Sequence, residues 1–263
     1  MTFDMLFSTF GSRIIELVKN LPKVNDNVAI IICHQTNVEL PLEIKEILDL
    51  RKDIKYFSLD SKGVTKSRNF AISKSNADII LFCDDDVTYP ENLYNIVCQA
   101  YMKNKDQDFI TFSYIKTGLG LHKFGSERYS HNLKSILNVG TIEVTCRRDK
   151  LDLVDKWFPE DMGAGSQYYL CDEPVFLSRL LKSGLVGCYE PVVIGEHPPE
   201  SSGIEFVDIN SLISRLYCFV RIFGSLAGRT IYSLFIIKNY SRFKNSTLFY
   251  KSLTVVFKKV DRE

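Results

Sequence analysis

The sequence contains no C-x-x-C pair, no internal repeat, no low-complexity linker and only one tryptophan. Its seven cysteines, at positions 33, 83, 98, 146, 171, 188 and 218, are odd in number and scattered. Neither a disulfide framework nor a structural zinc site is expected from them, and a reducing cytoplasm suits them better. No apolar stretch reaches the roughly 18 uncharged residues of a spanning helix. The longest candidate, residues 230–237, is bracketed by Arg229 and Lys238. The N-terminus carries an early Asp4 and lacks the basic-then-apolar order of a secretory signal, so secretion is not expected. Acidic residues are missing from one long segment. Residues 211–260 hold nine Lys or Arg and no Asp or Glu, which leaves −8 for the rest of a chain whose net charge is +1. An acidic body and a basic tail cancel in the total, and the asymmetry points to an anionic surface as partner.

What is present suits a globular protein. With 263 residues, 45% of them hydrophobic and 25% charged, the chain is long enough for one large domain, or a domain with an appendage. That composition excludes a disordered, collagen-like or small disulfide-stapled protein. Between residues 27 and 86, short β-branched runs alternate with helical spacing. Strands are predicted at 28–33, 54–59, 77–83 and 109–115, with helices over 42–50, from Gly63 through Ile72, and from Pro90 through Tyr101. The order argues for a mostly parallel sheet covered by helices, with its ligand site at the carboxyl ends of the strands. Residues 6–13 read as a short strand and turn ahead of this fold. Residues 116–132, with Gly118, Gly120, Gly125 and two histidines, read as a mobile loop. Beyond it come a strand over 142–147, a helix over 174–183 stopped by Gly184, and a strand over 185–194. From Ser211 the chain is basic, aromatic and helical. The division expected is 1–205 for the α/β unit and 206–263 for a basic helical extension.

The strongest chemical signal is Asp84-Asp85-Asp86 at the end of the apolar run 79–83. Three adjacent carboxylates repel one another and are costly to bury. At the mouth of a buried strand they suit a hard divalent ion, Mg²⁺ or Mn²⁺, held by one or two carboxylates and substrate phosphate. From the residues alone, the alternative is a solvated acidic turn.

Here the sequence resembles a known family. Gly63-Val64-Thr65-Lys66-Ser67-Arg68-Asn69, followed by the strand ending on Asp84-Asp85-Asp86, is similar to the Arg-Asn helix and Asp-x-Asp strand end of family 2 glycosyltransferases, inverting enzymes of the GT-A fold. Residues 158–165 (FPEDMGAG), then Cys171-Asp172-Glu173, then Arg179 through Gly184, resemble their acceptor-side loop and catalytic acidic pair. The resemblance runs from about Val28 to His197 and looks most like the bacterial enzymes that build O-antigen or capsule repeat units on a lipid carrier. It implies a nucleotide-sugar donor, a UDP-sugar above all, with Mn²⁺ or Mg²⁺. It places Asp84 on the ribose, Asp86 on the metal, and Asp85 between them. Arg68, His34, Gln35 and Gly63 fall on the nucleotide side, and His197 within reach of the metal or diphosphate.

Inverting transfer needs a base for the acceptor hydroxyl, and a positioned carboxylate serves. The family order is Glu-Asp with the second acid as base. Here it is Asp172-Glu173, which assigns the role to Glu173 and leaves Asp172 as the alternative. An acid at a helix start also complements the macrodipole by roughly 0.3–1 kcal/mol, whatever its chemistry. The backbone of Gly163-Ala164-Gly165 is a candidate for close approach to acceptor or diphosphate. Trp157 and Phe158 are candidates for a sugar-stacking face, and Tyr168 and Tyr169 for the acceptor side.

In 211–260, the nine cations interleave with Phe219, Phe223, Tyr232, Phe235, Tyr240, Phe243 and Phe249. That mixture suits the headgroup zone of an anionic membrane, although a helical hairpin packing its aromatics on the body explains it too. No nucleic-acid module accompanies it. The expectation is a cytoplasmic protein peripheral at the inner face of the cell membrane, extending a lipid-linked or oligosaccharide acceptor. Two rival readings remain at this point. Asp84-Asp85-Asp86-Val87-Thr88 also satisfies the Asp-x-Asp-x-Thr pattern of a haloacid-dehalogenase-type phosphatase with Asp84 as nucleophile. A non-catalytic membrane scaffold on a degenerate transferase fold is the other.

Overall fold

A computed structural model describes residues 1–121, 125–198, 206 and 208–260. The alternating pattern of the N-terminal half folds as β2 (Val28–Gln35), α2 (Leu42–Leu50), β3 (Ile54–Leu59), α3 (Val64–Lys74), β4 (Ile79–Asp84), α4 (Leu93–Lys103) and β5 (Phe109–Lys116). Ahead of them lies β1 (Phe3–Phe10), followed by a short helix α1 (Ile14–Lys19). The expected strand at residues 6–13 is therefore longer and starts earlier, and it is no appendage. It sits in the middle of the parallel strands, with β2 and β4 on its two sides. Short strands β6 (Gly120–Leu121) and β7 (Tyr129–Ser130) occupy the segment expected to be a loop, whose His122 lies outside the described residues. A 3₁₀ turn at Thr141–Glu143 takes the start of the strand expected at 142, leaving β8 as Val144–Arg147. Then follow α5 (Asp172–Lys182), β9 (Gly187–His197), α6 (Ile209–Phe223), α7 (Ser225–Lys238) and α8 (Ser246–Val255).

Among the described residues the strands form one mixed sheet in the order β3-β2-β1-β4-β8-β5-β9-β7, with β6 pairing to β5. The pleat distributes side chains to two cores. Phe3, Met5, Phe7, Ile79, Leu81 and Cys83 face α1, α2 and α4, whereas Leu6, Ile31, Ile80 and Phe82 face α3 and α5. A sheet covered on both faces explains why its strands read as continuous apolar runs. The chain leaves β1 toward β2 on one side and reaches β4 on the other. That reversal opens a crevice at the carboxyl ends of β1 and β4, the usual ligand position in such sheets.

The helices α6, α7 and α8 share a third core with Met162 and Val175 of the body. No helix among the described residues is long and apolar enough to cross a membrane. Residue 205, at the expected domain boundary, lies outside the described residues. All seven cysteines are free thiols.

At the far edge His131 is buried. Its Nε2 meets the Thr111 hydroxyl at 2.7 Å, its Nδ1 meets Ser135 at 3.1 Å, and the ring stacks on Phe109. Burial pushes its pKa down from 6.5 to about 4. The unfolded chain thus takes up a proton, as pH falls through 6.5, that the folded chain refuses. Stability held above pH 6.5 is lost progressively toward pH 4, by up to about 3 kcal/mol from this group. Denaturant midpoints measured between pH 7 and 4 should fall less steeply for His131→Gln than for the parent, whatever the variant's stability at pH 7.

Candidate active site

The crevice widens into a cavity of about 1340 Å³. Its floor is built by the pleat. Asp84 leaves β4 on the same face as Ile80 and Phe82, toward α3 and α5, and meets Arg68 of α3 there. Arg68 is 5% exposed. One of its guanidinium nitrogens donates to Asp84 Oδ1 at 3.1 Å and the other to Asp172 Oδ2 at 2.8 Å. A single buried cation therefore joins the expected donor-side aspartate to the expected acid pair. Asp172 is 3% exposed. Burial, reinforced by the adjacent Glu173, pushes its carboxyl above the usual aspartate range, and the Arg68 guanidinium opposes that rise. Glu173 is half-buried on the cavity wall, and its Oε1 accepts the Thr141 hydroxyl at 2.6 Å.

The Pro159–Gly165 stretch fits against these residues through glycine. Gly163 has φ +88, and a Cβ there would lie 2.8 Å from Asp172 Cγ. Gly63, at the start of α3, has φ +115, and a Cβ there would meet Ser166 Oγ at 2.6 Å. At Gly163 both the backbone conformation and the close approach exclude a side chain, whereas at Gly63 the positive φ is what favours glycine, since the Ser166 hydroxyl can rotate away. The backbone N–H of Gly163 is taken by the Tyr168 carbonyl at 2.8 Å, so its contribution is close packing, not donation to a ligand. Asn69 exchanges hydrogen bonds with the Phe158 backbone, at 3.0 and 2.9 Å, and pins the loop to α3.

Most of the expected site residues meet here. Gln35 and Gly63 line the cavity, tied by a 3.0 Å bond from Gln35 Nε2 to the Gly63 carbonyl. Asp84, Asp86, Asp172, Glu173, Arg68 and His197 line it as well. His34 is placed otherwise. It is 2% exposed, with Nε2 on the Gly11 carbonyl at 2.8 Å and Nδ1 on the Tyr56 hydroxyl at 2.9 Å, and it braces the turn after β1. Phe158 is core, stacked on Phe176 at 4.1 Å, and the Trp157 indole donates to the Leu151 carbonyl. Neither lines the cavity, because both are needed beneath it. Tyr168 stacks on Tyr217, while Tyr169 reaches the wall and donates to Asp208 at 2.5 Å.

A divalent cation suits part of this set. Asp86 Oδ1 and His197 Nε2 stand 3.6 Å apart. A carboxylate and an imidazole are donors that Mg²⁺ or Mn²⁺ accepts. Among the described residues no group of three His, Cys, Asp or Glu side chains is placed to hold a metal ion, so substrate oxygens would have to complete the shell.

Sequence reasoning missed four contributors. Thr9, near the end of β1, donates to Asp85, and Arg13, just beyond that strand, pairs with Asp85 and Asp86. The irregular pattern of β1 concealed them. Arg215 and Arg242 reach the cavity from the basic segment, both about 4.8 Å from the Phe206 ring. No local motif marks either one.

The buried bridge yields a direct test. Arg68→Met leaves Asp172 buried without its cation and should lose about 3–5 kcal/mol of unfolding free energy. Arg68→Lys keeps the charge but cannot fork to two carboxylates, and should fall between parent and Met variant in chemical denaturation.

Residues 13–151 match the family described as "Glycosyl transferase family 2". Curated proteins gave no sequence match. Among solved structures, S. aureus TarS superimposes with a TM-score of 0.66 at 15% identity over 93% of this chain and 44% of that one. The S. aureus TarS 1–349 fragment in complex with UDP-GlcNAc superimposes with a TM-score of 0.66 at 16% identity, over 92% of this chain and 73% of that one. Its complex with UDP gives 0.65 at 16%, over 92% and 72%. The chain thus spans less than half of the first of these structures, and the likeness is one of fold. A mixed sheet with the aspartates on its fourth strand in chain order is the GT-A arrangement, and it does not fit the phosphatase pattern, which belongs on a first strand. Because the matched span takes in just over half of the sequence, including Arg68 and all three aspartates, the protein belongs to glycosyl transferase family 2.

Proposed function

We propose that the protein is an inverting glycosyltransferase that moves a sugar from a UDP-sugar to a glycan acceptor. The observation that carries this reading is the Arg68 bridge, which fixes Asp84 and the Asp172-Glu173 pair in one cavity. The UDP-GlcNAc named with S. aureus TarS supports a UDP-linked donor.

In this reading Glu173, oriented by Thr141, takes the proton of the acceptor hydroxyl as its oxygen attacks the anomeric carbon. The bond from that carbon to the diphosphate oxygen breaks on the opposite face, and the nucleoside diphosphate leaves. Asp172 is committed to Arg68 and serves as a positioning residue. Asp84 holds the ribose side, and Asp86 with His197 would hold Mn²⁺ or Mg²⁺. The bound ion supplies neutralisation of charge on the leaving diphosphate.

The same proposal places the acceptor on a lipid diphosphate at the cytoplasmic face of the cell membrane, as in O-antigen or capsule assembly, with residues 206–263 as the membrane-facing part. Support comes from how that segment divides its cations. Arg221 forms a bidentate pair with Asp161 at 2.8 and 2.6 Å, and Arg229 donates to the carbonyls of Val256 and Lys258. Lys238, Lys244, Lys251, Lys258 and Lys259 are all exposed. The same segment exposes Leu226, Leu234, Ile237, Tyr250 and Phe257, each between 59% and 86%. Exposed apolar groups and lysines on one segment suit an anionic headgroup layer.

A panel of nucleotide sugars, Mn²⁺ and a synthetic sugar-diphosphate-lipid should give a glycosylated product by mass. Glu173→Gln should lower kcat about 10²–10⁴-fold with UDP affinity unchanged. No transfer from any donor, together with no UDP binding, would sink the reading. Separately, the full chain should sediment with phosphatidylglycerol vesicles and not with phosphatidylcholine ones. Reversing Lys238, Lys251 and Lys258 to Glu should weaken that binding about tenfold or more. The full chain is the right material, because α6–α8 share a core with the body.

A further inference from the structure

Arg13 has no part in the chemistry above, yet it touches the aspartates on which that chemistry depends. It follows β1 across a tight turn in which Gly11 has φ +55. The buried His34 ring holds that turn through the Gly11 carbonyl at 2.8 Å, and the Tyr56 hydroxyl holds the ring from behind. The base of the Arg13 side chain is therefore fixed, while the side chain itself is 57% exposed.

Its guanidinium pairs with both Asp85 and Asp86. The Asp86 contact is 3.1 Å, to Oδ2. Asp85 is 5% exposed and also accepts the Thr9 hydroxyl at 2.6 Å, which anchors it to the end of β1. Asp86, at 40% exposed, is the accessible partner. Its Oδ2 takes Arg13 while its Oδ1 faces His197 Nε2 at 3.6 Å. A divalent cation on Asp86 and a guanidinium on the same carboxylate would be like charges a few ångströms apart, repelling one another across that carboxylate even with Asp85 beside the guanidinium. The two must compete. Arg13 lines the main cavity and also the smaller hollow behind Asp86, so it has room on both sides of that carboxylate. A diphosphate is a planar-fork target that arginine binds well.

Building on the donor and metal reading above, we propose that Arg13 is a tethered cation that holds the Asp85–Asp86 edge until donor arrives. It then passes to the diphosphate as the metal takes Asp86. Metal and nucleotide binding are thereby coupled, since neither alone both displaces and rehouses the guanidinium. Coupling of this kind is reciprocal and falls typically in the range of 5–150-fold.

The measurement is a Mn²⁺ titration followed by electron paramagnetic resonance, with and without UDP, on the full chain. In the parent, UDP should raise Mn²⁺ affinity by about tenfold or more. In Arg13→Ala and Arg13→Gln, Mn²⁺ affinity without UDP should rise by about the same factor, and the UDP effect should shrink. Asp86→Asn should abolish Mn²⁺ binding in both backgrounds. Unchanged or weaker Mn²⁺ affinity in the two Arg13 variants without UDP overturns the inference while leaving the metal reading intact. Absence of Mn²⁺ binding from parent and variants even with UDP overturns both.

Discussion

A guanidinium shared between two carboxylates organises this molecule. Arg68 reaches Asp84 at the end of β4 and Asp172 at the start of α5, residues separated by most of the sheet's construction. Taking Arg68 or Asp172 out of water alone is unfavourable by several kcal/mol, and each is tolerable only while the other is in place. Asp84, about a third exposed, is the solvent-facing end of the bridge. The bridge therefore ties the end of β4 to the start of α5, and neither can move away without cost to the buried pair.

The surrounding packing serves that constraint. Gly163 lets the loop backbone lie against Asp172, and Gly63 lets the same loop close over the start of α3. Asn69 then ties the loop back to the helix that carries Arg68. The Arg221–Asp161 pair fastens α6 to the loop from outside. The result is a rigid floor with one less-buried acid, Glu173, left on the wall. Rigid support for a half-exposed carboxylate suits the proton transfer proposed for Glu173.

Much of this was legible from the residues. Apolar runs buried on both faces announced the parallel strands, and three aspartates after such a run pointed to the cavity they line. What could not be read has a physical reason in each case. β1 carries Asp4, Ser8 and Thr9, which break the apolar run. Asp4 is tolerated because Ser75 donates to it at 2.6 Å, a partner 71 residues away. His34 looked like a ligand because its position matches a nucleoside contact, but a long-range bond to Tyr56 turns it inward. The basic segment read as uniform, whereas Arg221 and Arg229 are held by forked contacts and Arg215 is buried, while its lysines stay in solvent. Such sorting depends on partners that tertiary structure alone supplies.

The central place of β1 has a consequence for how the chain comes together. β1 pairs in parallel with β2 on one side and, on the other, with β4, whose partner residues lie 76 positions further along the chain. Contacts of such separation form late, since the intervening loop must close first. β1 thus acts as a keystone set before its arch. The aspartates cannot take up their places until that long-delayed second neighbour has zipped onto the opening strand.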